Sequence, residues 1–215
     1  MKKIFKQDLF FLSLLLVLSF VQLRFLFTPG LYTFSDEPHI ANLYEMIRAV
    51  TGGQFPPRWA PDMSFNYGYP LFNFYYPLPF YLGSVFFLVF KLSLINSLKI
   101  VFGLSVILSG FSAYFFAKKF FSKATALSVA ILYLYTPYRA VDLYVRGAIG
   151  EMWSFVFMPL VFLAIYNLVE KAGILNIMFL GISLALLILA HNLTAIIFVP
   201  IAVIFFLVLI ISKKE

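Results

Sequence analysis

The feature that most constrains this chain is the alternation of lysine clusters with long apolar runs. Lysine and arginine concentrate in the cytoplasmic loops of membrane proteins, so their positions indicate orientation. The clusters are Lys2, Lys3 and Lys6; Lys118, Lys119 and Lys123; Lys171; and Lys213 and Lys214. If all of them face the cytoplasm, the amino terminus is cytoplasmic and most other polar groups face outside. Those groups are Asp36, Glu37, His39, Arg58, Arg139, Asp142, Arg146, Glu151 and His191.

Composition agrees with an integral membrane protein. Of the 215 residues, 63% are hydrophobic and only 12% are charged, whereas soluble domains carry about 25% charged residues. The net charge of +7 indicates orientation and contact with anionic lipid, and we expect no nucleic-acid partner. The chain has no cysteine, which excludes disulfides, thiol catalysis and cysteine-based metal sites. These features predict a multi-pass protein of the plasma membrane.

Six apolar segments are long enough to be predicted as membrane crossings. A further apolar segment, 79–95, is ambiguous, because a crossing there would move six of the lysines outside. We therefore expect it to be an interfacial or half-inserted helix. The sequence predicts an all-α membrane protein, a single module over 1–215, with a first outer loop at 28–97 and a second at 138–151. The predicted crossings are 9–27, 98–117, 120–137, 152–169, 174–190 and 193–211.

The first outer loop opens with a pair of acids. Ser35 followed by Asp36, Glu37 and Pro38 is typical of a helix start, and 40–50 has the spacing of an amphipathic surface helix. One interpretation is that the acids only complement the helix dipole. The other is a carboxylate pair that acts as a general base or binds a divalent cation. His39 follows within one turn and is a candidate for the same site.

Arg58 and Trp59 stand between prolines further along this loop. An interfacial aromatic belt explains most of the nearby Tyr and Phe residues, but it explains this pair less well. Arginine makes bidentate contacts with phosphate, and tryptophan offers a flat face to a sugar or an apolar ligand. The pair is therefore a candidate substrate-binding element.

The second outer loop contains Arg139, Asp142 and Arg146 at spacings that place them on one face of a helix. An Asp–Arg pair that satisfies itself at the membrane edge is one interpretation. The other is a surplus of positive charge for a ligand, which Glu151 would balance. His191 adds a polar group beyond the fifth predicted crossing, where a structural role is also open.

The acidic pair, the surface helix, the Phe-Pro-Pro-Arg-Trp element and the Tyr-Pro-Leu-Pro before an apolar helix resemble the C-type (GT-C) membrane glycosyltransferases. More narrowly, residues 5–200 resemble multi-span proteins labelled 6-pyruvoyl-tetrahydropterin synthase-related, a label that does not denote pterin chemistry. The resemblance implies a polyprenyl-phosphate-linked sugar as donor and an acceptor on the outer face. It implies Asp36 and Glu37 as catalytic residues, with Mg²⁺ or Mn²⁺ as an option at Asp36. It implies Arg58, Arg146 and Glu151 as substrate-binding residues, and the residue patterns described above add His39, Trp59, Arg139 and His191.

Two other functions and the extent of the protein stay open. Such glycosyltransferases usually have more crossings and a soluble carboxy-terminal domain, so we expect an amino-terminal module, a fragment or half of a split protein. A flippase or transporter of polyprenyl lipid or polysaccharide would place charges at the middle of the bilayer, whereas most predicted crossings are apolar there. A non-catalytic membrane assembly protein is the third class. The sequence leaves the sugar, the acceptor and the oligomeric state open.

Overall fold

Eleven α-helices and one π-helical segment make up most of the part of the chain that the computed structural model describes, residues 2–30 and 38–213. Within those residues the β-structure is a single bridge between Ala60 and Tyr69. The helices are α1 (Lys2–Leu23), α2 (His39–Thr51), α3 (Met63–Asn66), α4 (Leu71–Phe74), α5 (Leu78–Leu88), α6 (Leu94–Ala117), α7 (Lys123–Leu134), α8 (Pro137–Val141), the π-helical segment (Asp142–Arg146), α9 (Ile149–Glu170), α10 (Ile174–Ala190) and α11 (Asn192–Ser212).

Contacts between helix ends show which ends of the long helices share one side of the bundle. The carboxylate of Asp8, near the start of α1, lies 3.2 Å from the Nζ atoms of both Lys118, after α6, and Lys123, at the start of α7. Lys213, after α11, donates to the carbonyl of Val169 at the end of α9. We call this side of the bundle the lysine end. The described members of the lysine clusters lie together there, as the sequence predicts.

The other helix ends meet on the opposite side of the bundle, which we call the polar end. The Gln22 side-chain amide donates to the Leu134 carbonyl at 2.7 Å, which joins the last turns of α1 and α7. The Ala190 carbonyl, at the last residue of α10, lies against Gly150 in the first turn of α9. The polar residues of the second predicted loop therefore lie at the end of the bundle away from the lysines.

Three helices, α6, α9 and α11, are long and apolar enough to cross a membrane. The apolar stretches Asp8–Leu23, α5, α7 and α10 are shorter, so about six crossings remain a prediction. Helix α5 has 11 residues and rises about 16 Å, about half of a bilayer's hydrocarbon core. That length agrees with an interfacial or half-inserted helix and is too short for an unaided crossing.

Several helix bounds differ from the predicted ones for local reasons. Helix α6 begins one turn earlier than predicted, because the Ser93 hydroxyl accepts the Asn96 amide and caps it. Helix α7 has 12 residues instead of the 18 predicted, because a Ser122 cap delays its start and Pro137 opens a new helix. Helix α2 starts at His39 with Pro38 as its N-cap residue, and the predicted start at Ser35 lies outside the described residues.

Helix α9 is the central element, since it packs against α6, α10 and α11. It contains Pro159 in its interior, which removes the amide that would bond to the Phe155 carbonyl one turn earlier. The Tyr133 hydroxyl of α7 donates to that same carbonyl at 2.9 Å. A side chain from a neighbouring helix therefore satisfies the backbone group that the proline leaves open, as membrane interiors require.

Candidate functional site

The candidate site is built on the π-helical segment Asp142–Arg146 and the first turn of α9. The Ala148 amide bonds to the Asp142 carbonyl at 3.0 Å, and Gly147 then adopts a left-handed conformation with φ of 70°. The backbone of any residue other than glycine would be strained in that conformation. This geometry ends the segment sharply and brings Glu151 of α9 back against Arg146.

Four side chains form what we call the Arg146 cluster: Tyr138, Asp142, Arg146 and Glu151. Arg146 Nη1 lies 2.8 Å from Asp142 Oδ1, and Nη2 lies 2.8 Å from Glu151 Oε1. Arg146 Nη1 also donates to the Tyr138 hydroxyl at 2.9 Å, and that hydroxyl donates to Glu151 Oε2. One guanidinium thus faces two carboxylates, and these four side chains carry a formal charge of −1 when both acids are ionised.

Exposure differs across the cluster. The Asp142 side chain is fully buried, whereas those of Arg146 and Glu151 are 31% and 19% exposed. A ligand at the polar end of the bundle could therefore reach Arg146 and Glu151 while Asp142 remains behind them.

The environment shifts the proton affinity of the groups around the cluster. Burial, reinforced by the nearby Glu151 charge and opposed by Arg146, raises the pKa of Asp142 to about 7. The hydrogen bond to Glu151, together with burial, raises the pKa of Tyr138 to about 12. Because the pKa of Asp142 is higher in the folded state than in the unfolded state, its contribution to stability falls as pH rises from about 4 to about 7. Asp142 therefore changes its charge near neutral pH.

His191 lies beside the cluster, at the junction of α10 and α11. Its Nδ1 atom lies 2.7 Å from the Thr194 hydroxyl, and it caps α11. Its ring is 5.1 Å from that of Tyr76, and burial lowers its pKa. A Cβ atom on Gly150 would come within 2.7 Å of the Tyr76 ring and 2.8 Å of the Ala190 carbonyl. Because Gly150 has no side chain, the start of α9, the end of α10 and the segment that contains Tyr76 can meet beside the cluster.

Arg139 makes no hydrogen bond or ion pair with the cluster among the described residues, so the predicted common face with Arg146 is not observed. Its side chain is buried and donates to the Ser109 hydroxyl at 2.7 Å. Its guanidinium lies 5.3 Å and 4.7 Å from the ring centroids of Tyr133 and Phe155. The Nε and Nη1 atoms of Arg139 have no hydrogen-bond partner among the described residues. The chain changes from α- to π-helical geometry between Arg139 and Arg146, so α-helical spacing no longer applies.

Residues 72–215 match the family described as the 6-pyruvoyl-tetrahydropterin synthase related domain, a membrane protein. The chain belongs to this family. The match includes α5 to α11 and all four members of the Arg146 cluster. It confirms the narrower of the two resemblances in the sequence, while the wider relation to GT-C glycosyltransferases stays a prediction.

An uncharacterized protein of Lactococcus lactis subsp. cremoris (strain MG1363) is 27% identical over 179 residues. The alignment covers 80% of this chain and 29% of that protein. This member of the 6-pyruvoyl-tetrahydropterin synthase related family therefore spans less than a third of the relative's length. No solved structure matches the chain.

His39 lies before the segment that matches the family and is 2% exposed. Its Nε2 atom is hydrogen-bonded to the Gly147 carbonyl, and its ring packs near those of Phe80 and Phe102. His39 thus holds α2 against the turn that shapes the Arg146 cluster. This buried position favours a structural role over the substrate-binding role that was predicted.

The remaining predicted residues are not brought to the cluster by any contact in the described chain. Arg58 and Trp59 are exposed, and the backbone amides of both donate to the Gln54 side chain. Asp36 and Glu37 lie outside the described residues. Within residues 2–30 and 38–213, no group of three His, Asp or Glu side chains is placed to hold a metal ion. A site shared by Asp36, Arg58 and Arg146 therefore stays a prediction, as does a cation at Asp36.

The sequence-based site list omitted Tyr138, Asp142 and Tyr76. Asp142 precedes Arg146 by four residues, and this spacing predicts the Asp–Arg ion pair that the structure contains. The contact of Tyr138 with Glu151 depends on the turn at Gly147, which the spacing of residues does not reveal. Tyr76 approaches His191 through a contact between segments distant in sequence, which periodicity does not reveal.

Proposed function

We propose that this chain is part of a membrane glycosyltransferase that moves a sugar from a polyprenyl-phosphate donor to an acceptor on the extracytoplasmic face. The observation that carries the proposal is the Arg146 cluster, in which a partly exposed arginine and two carboxylates meet at the end of the bundle away from the lysines. Such a transfer needs a base for the acceptor and positive charge for the phosphate that leaves.

In this proposal Asp36 is the general base or the ligand of a divalent cation, and Glu37 assists it. Arg58 and Arg146 neutralise the donor phosphate. Glu151 keeps Arg146 in place through its short ion pair. Of the remaining candidates, Trp59 and His191 contribute to the walls of the substrate site, whereas Arg139 is buried.

The charge state of Asp142 controls how available Arg146 is to a phosphate. With Asp142 ionised, two carboxylates compete with the donor for one guanidinium. With Asp142 protonated below its pKa of about 7, Arg146 faces only Glu151 as a full charge. We therefore expect donor binding to strengthen as pH falls through this range.

An apolar groove supports the choice of a polyprenyl donor. It has a volume of about 280 Å³ and lies between α6, α7, α9 and α11, with Tyr133, Pro159 and Phe162 in its walls. Its lining is almost entirely apolar, which suits a section of an isoprenoid chain. The Tyr133 ring also contacts the buried Arg139 guanidinium, so one wall of the groove reaches a positive charge.

The test is transfer of radiolabelled hexose from polyprenyl phosphate in membranes that contain the protein with any further domains it has. Asp36→Asn keeps the size of the side chain and removes its charge, so it should abolish transfer. Arg146→Lys loses the bidentate geometry and should raise the donor KM about tenfold. Lys171→Gln, an exposed change at the lysine end, is the matched control and should transfer normally.

The same assay tests the role of Asp142. The donor KM of the unaltered protein should fall as pH drops from 8 to about 6, and Asp142→Asn should remove that dependence. Normal turnover by Asp36→Asn would exclude Asp36 from the chemistry. Lack of transfer by the unaltered protein from every polyprenyl-phosphate hexose supplied would reject the proposed activity.

A flippase or transporter is the second candidate, and the position of Arg139 favours it. Its partner Ser109 lies eight residues before the end of α6, about 12 Å along a helix of about 36 Å. A charged side chain from the second predicted outer loop thus lies about a third of the way along α6 from its last residue, in the buried part of the bundle. Movement of a fluorescent polyprenyl lipid across vesicles without any sugar transfer would support this function instead.

A further inference from the structure

A second groove lies on the other side of the π-helical segment from the Arg146 cluster. It has a volume of about 290 Å³ and is formed where the last turn of α1 meets the end of α7 and the start of α8. Unlike the apolar groove beside Pro159, it has polar groups in its walls, from Gln22, Arg24, Tyr135 and Thr136. Tyr144, on the π-helical segment, closes it, and its hydroxyl donates to the Gln22 carbonyl.

Two groups in this groove have binding capacity that the described chain does not use. The guanidinium of Arg24 lies 4.5 Å from the centroid of the Phe25 ring and has no carboxylate partner within residues 2–30 and 38–213. The Oε1 atom of Gln22 is buried and has no hydrogen-bond donor among the described residues. The Gln22 amide nitrogen is held by the Leu134 carbonyl, so Oε1 is fixed in place as an acceptor.

The position of the groove suits a lipid head group. Arg24 follows Asp8 by 16 residues, about 24 Å along the α1 direction from the lysine end. That distance is somewhat less than the hydrocarbon core of about 30 Å, so the long Arg24 side chain can extend to the opposite phosphates. The exposed side chains of Val21 and Phe25 border the groove and offer apolar surface to acyl chains.

We propose that this groove binds a membrane glycerophospholipid, with the lipid phosphate on Arg24 and an O–H or N–H donor of the head group on Gln22 Oε1. The positive charge of Arg24 selects an anionic phosphate, and the unpaired acceptor Gln22 Oε1 selects a head group with a hydrogen-bond donor. Phosphatidylglycerol and phosphatidylethanolamine meet both conditions. Phosphatidylcholine lacks the donor, and diacylglycerol lacks the phosphate.

The experiment is native mass spectrometry of the protein in dodecyl maltoside with each of these four lipids added. We expect one tightly held phosphatidylglycerol, and stronger retention of phosphatidylethanolamine than of phosphatidylcholine. Arg24→Gln should lower phosphatidylglycerol affinity about tenfold, because a charge-assisted hydrogen bond is lost. Lys91→Gln, another exposed cation outside the groove, is the matched control and should bind as the unaltered protein does.

Three results would overturn the inference. Equal losses of phosphatidylglycerol affinity in Arg24→Gln and Lys91→Gln would show that general positive charge holds the lipid. Equal retention of phosphatidylethanolamine and phosphatidylcholine would remove Gln22 from the site. Displacement of the lipid by soluble glycerol phosphate at equal concentration would show a site for free phosphate esters. None of these results bears on sugar transfer, so this inference and the proposed function can fail separately.

Discussion

The hydrogen bond from Tyr133 to Phe155 makes a sharp prediction about stability. Pro159 cannot donate to the Phe155 carbonyl, and the Tyr133 hydroxyl does so at 2.9 Å. Tyr133→Phe keeps the ring against Phe155 and Arg139 and removes only the hydroxyl. A net hydrogen bond contributes about 0.5–1.5 kcal/mol, and such bonds in membrane proteins average about 0.6 kcal/mol. We expect Tyr133→Phe to lower the free energy of unfolding by about 1 kcal/mol.

The origin of this loss can be isolated with a double-mutant cycle. Pro159→Ala restores an amide that can bond to the Phe155 carbonyl within α9. In that background the carbonyl no longer depends on the hydroxyl, so Tyr133→Phe should cost less than half as much. The cycle does not require knowing whether Pro159→Ala alone stabilises the protein, because only the difference between the two backgrounds is used.

The assay is reversible unfolding in dodecyl maltoside by a rising mole fraction of dodecyl sulfate, followed by helical circular dichroism. Tyr135→Phe is the matched control. Its hydroxyl donates to the Leu18 carbonyl at 2.7 Å. That carbonyl lies inside α1, where the backbone amide of Gln22 is in position to bond to it as well. The cost of Tyr135→Phe should not depend on residue 159. An equal cost of Tyr133→Phe in both backgrounds would refute the reasoning.

Two further predictions concern helix packing and orientation. Gly150→Ala should destabilise the fold by about 1–3 kcal/mol in the same assay, because its Cβ would meet Tyr76 and the Ala190 carbonyl. Gly181→Ala, whose Cβ would meet nothing within 4 Å, should be neutral or stabilising. A similar loss of stability in Gly150→Ala and Gly181→Ala would reject the packing argument. Single cysteines at Ser64 and Ala140 should react with an impermeant thiol reagent in intact cells while one at Ala172 should not. Labelling at Ser64 and Ala172 but not at Ala140 would show that 79–95 crosses the membrane.

Much of the architecture follows from residue patterns in the sequence. Helix α10 has the predicted bounds, because a break at Lys171 to Gly173 and the polar His191 flank a continuous apolar run. The sequence also predicts that the lysine clusters lie at one end of the bundle, because they alternate with the apolar runs. Local capping was harder to foresee, since Ser93 and Ser122 each move a helix start by one turn or less.

The site was less predictable, for a physical reason. Arg146 and Glu151 were identified from their residue types, and the fold brings them together. The burial of Arg139 beside Ser109 and the role of His39 under the Gly147 turn depend on tertiary contacts over 30 and 108 residues. Helical periodicity describes one segment at a time and has no information about such contacts.

The π-helical segment also bears on how chain length can change in this protein. A π-helical turn holds one residue more than an α-helical turn, so deletion of a single residue from Asp142–Arg146 would allow ordinary α-helical bonding. Because the extra residue is accommodated within the turn itself, α8 and α9 would keep about their present orientation. The effect would fall on the segment itself, where α-helical instead of π-helical spacing would place Asp142 and Arg146. A change of chain length by one residue in this stretch should therefore alter the Arg146 cluster while the packing of the flanking helices stays in place.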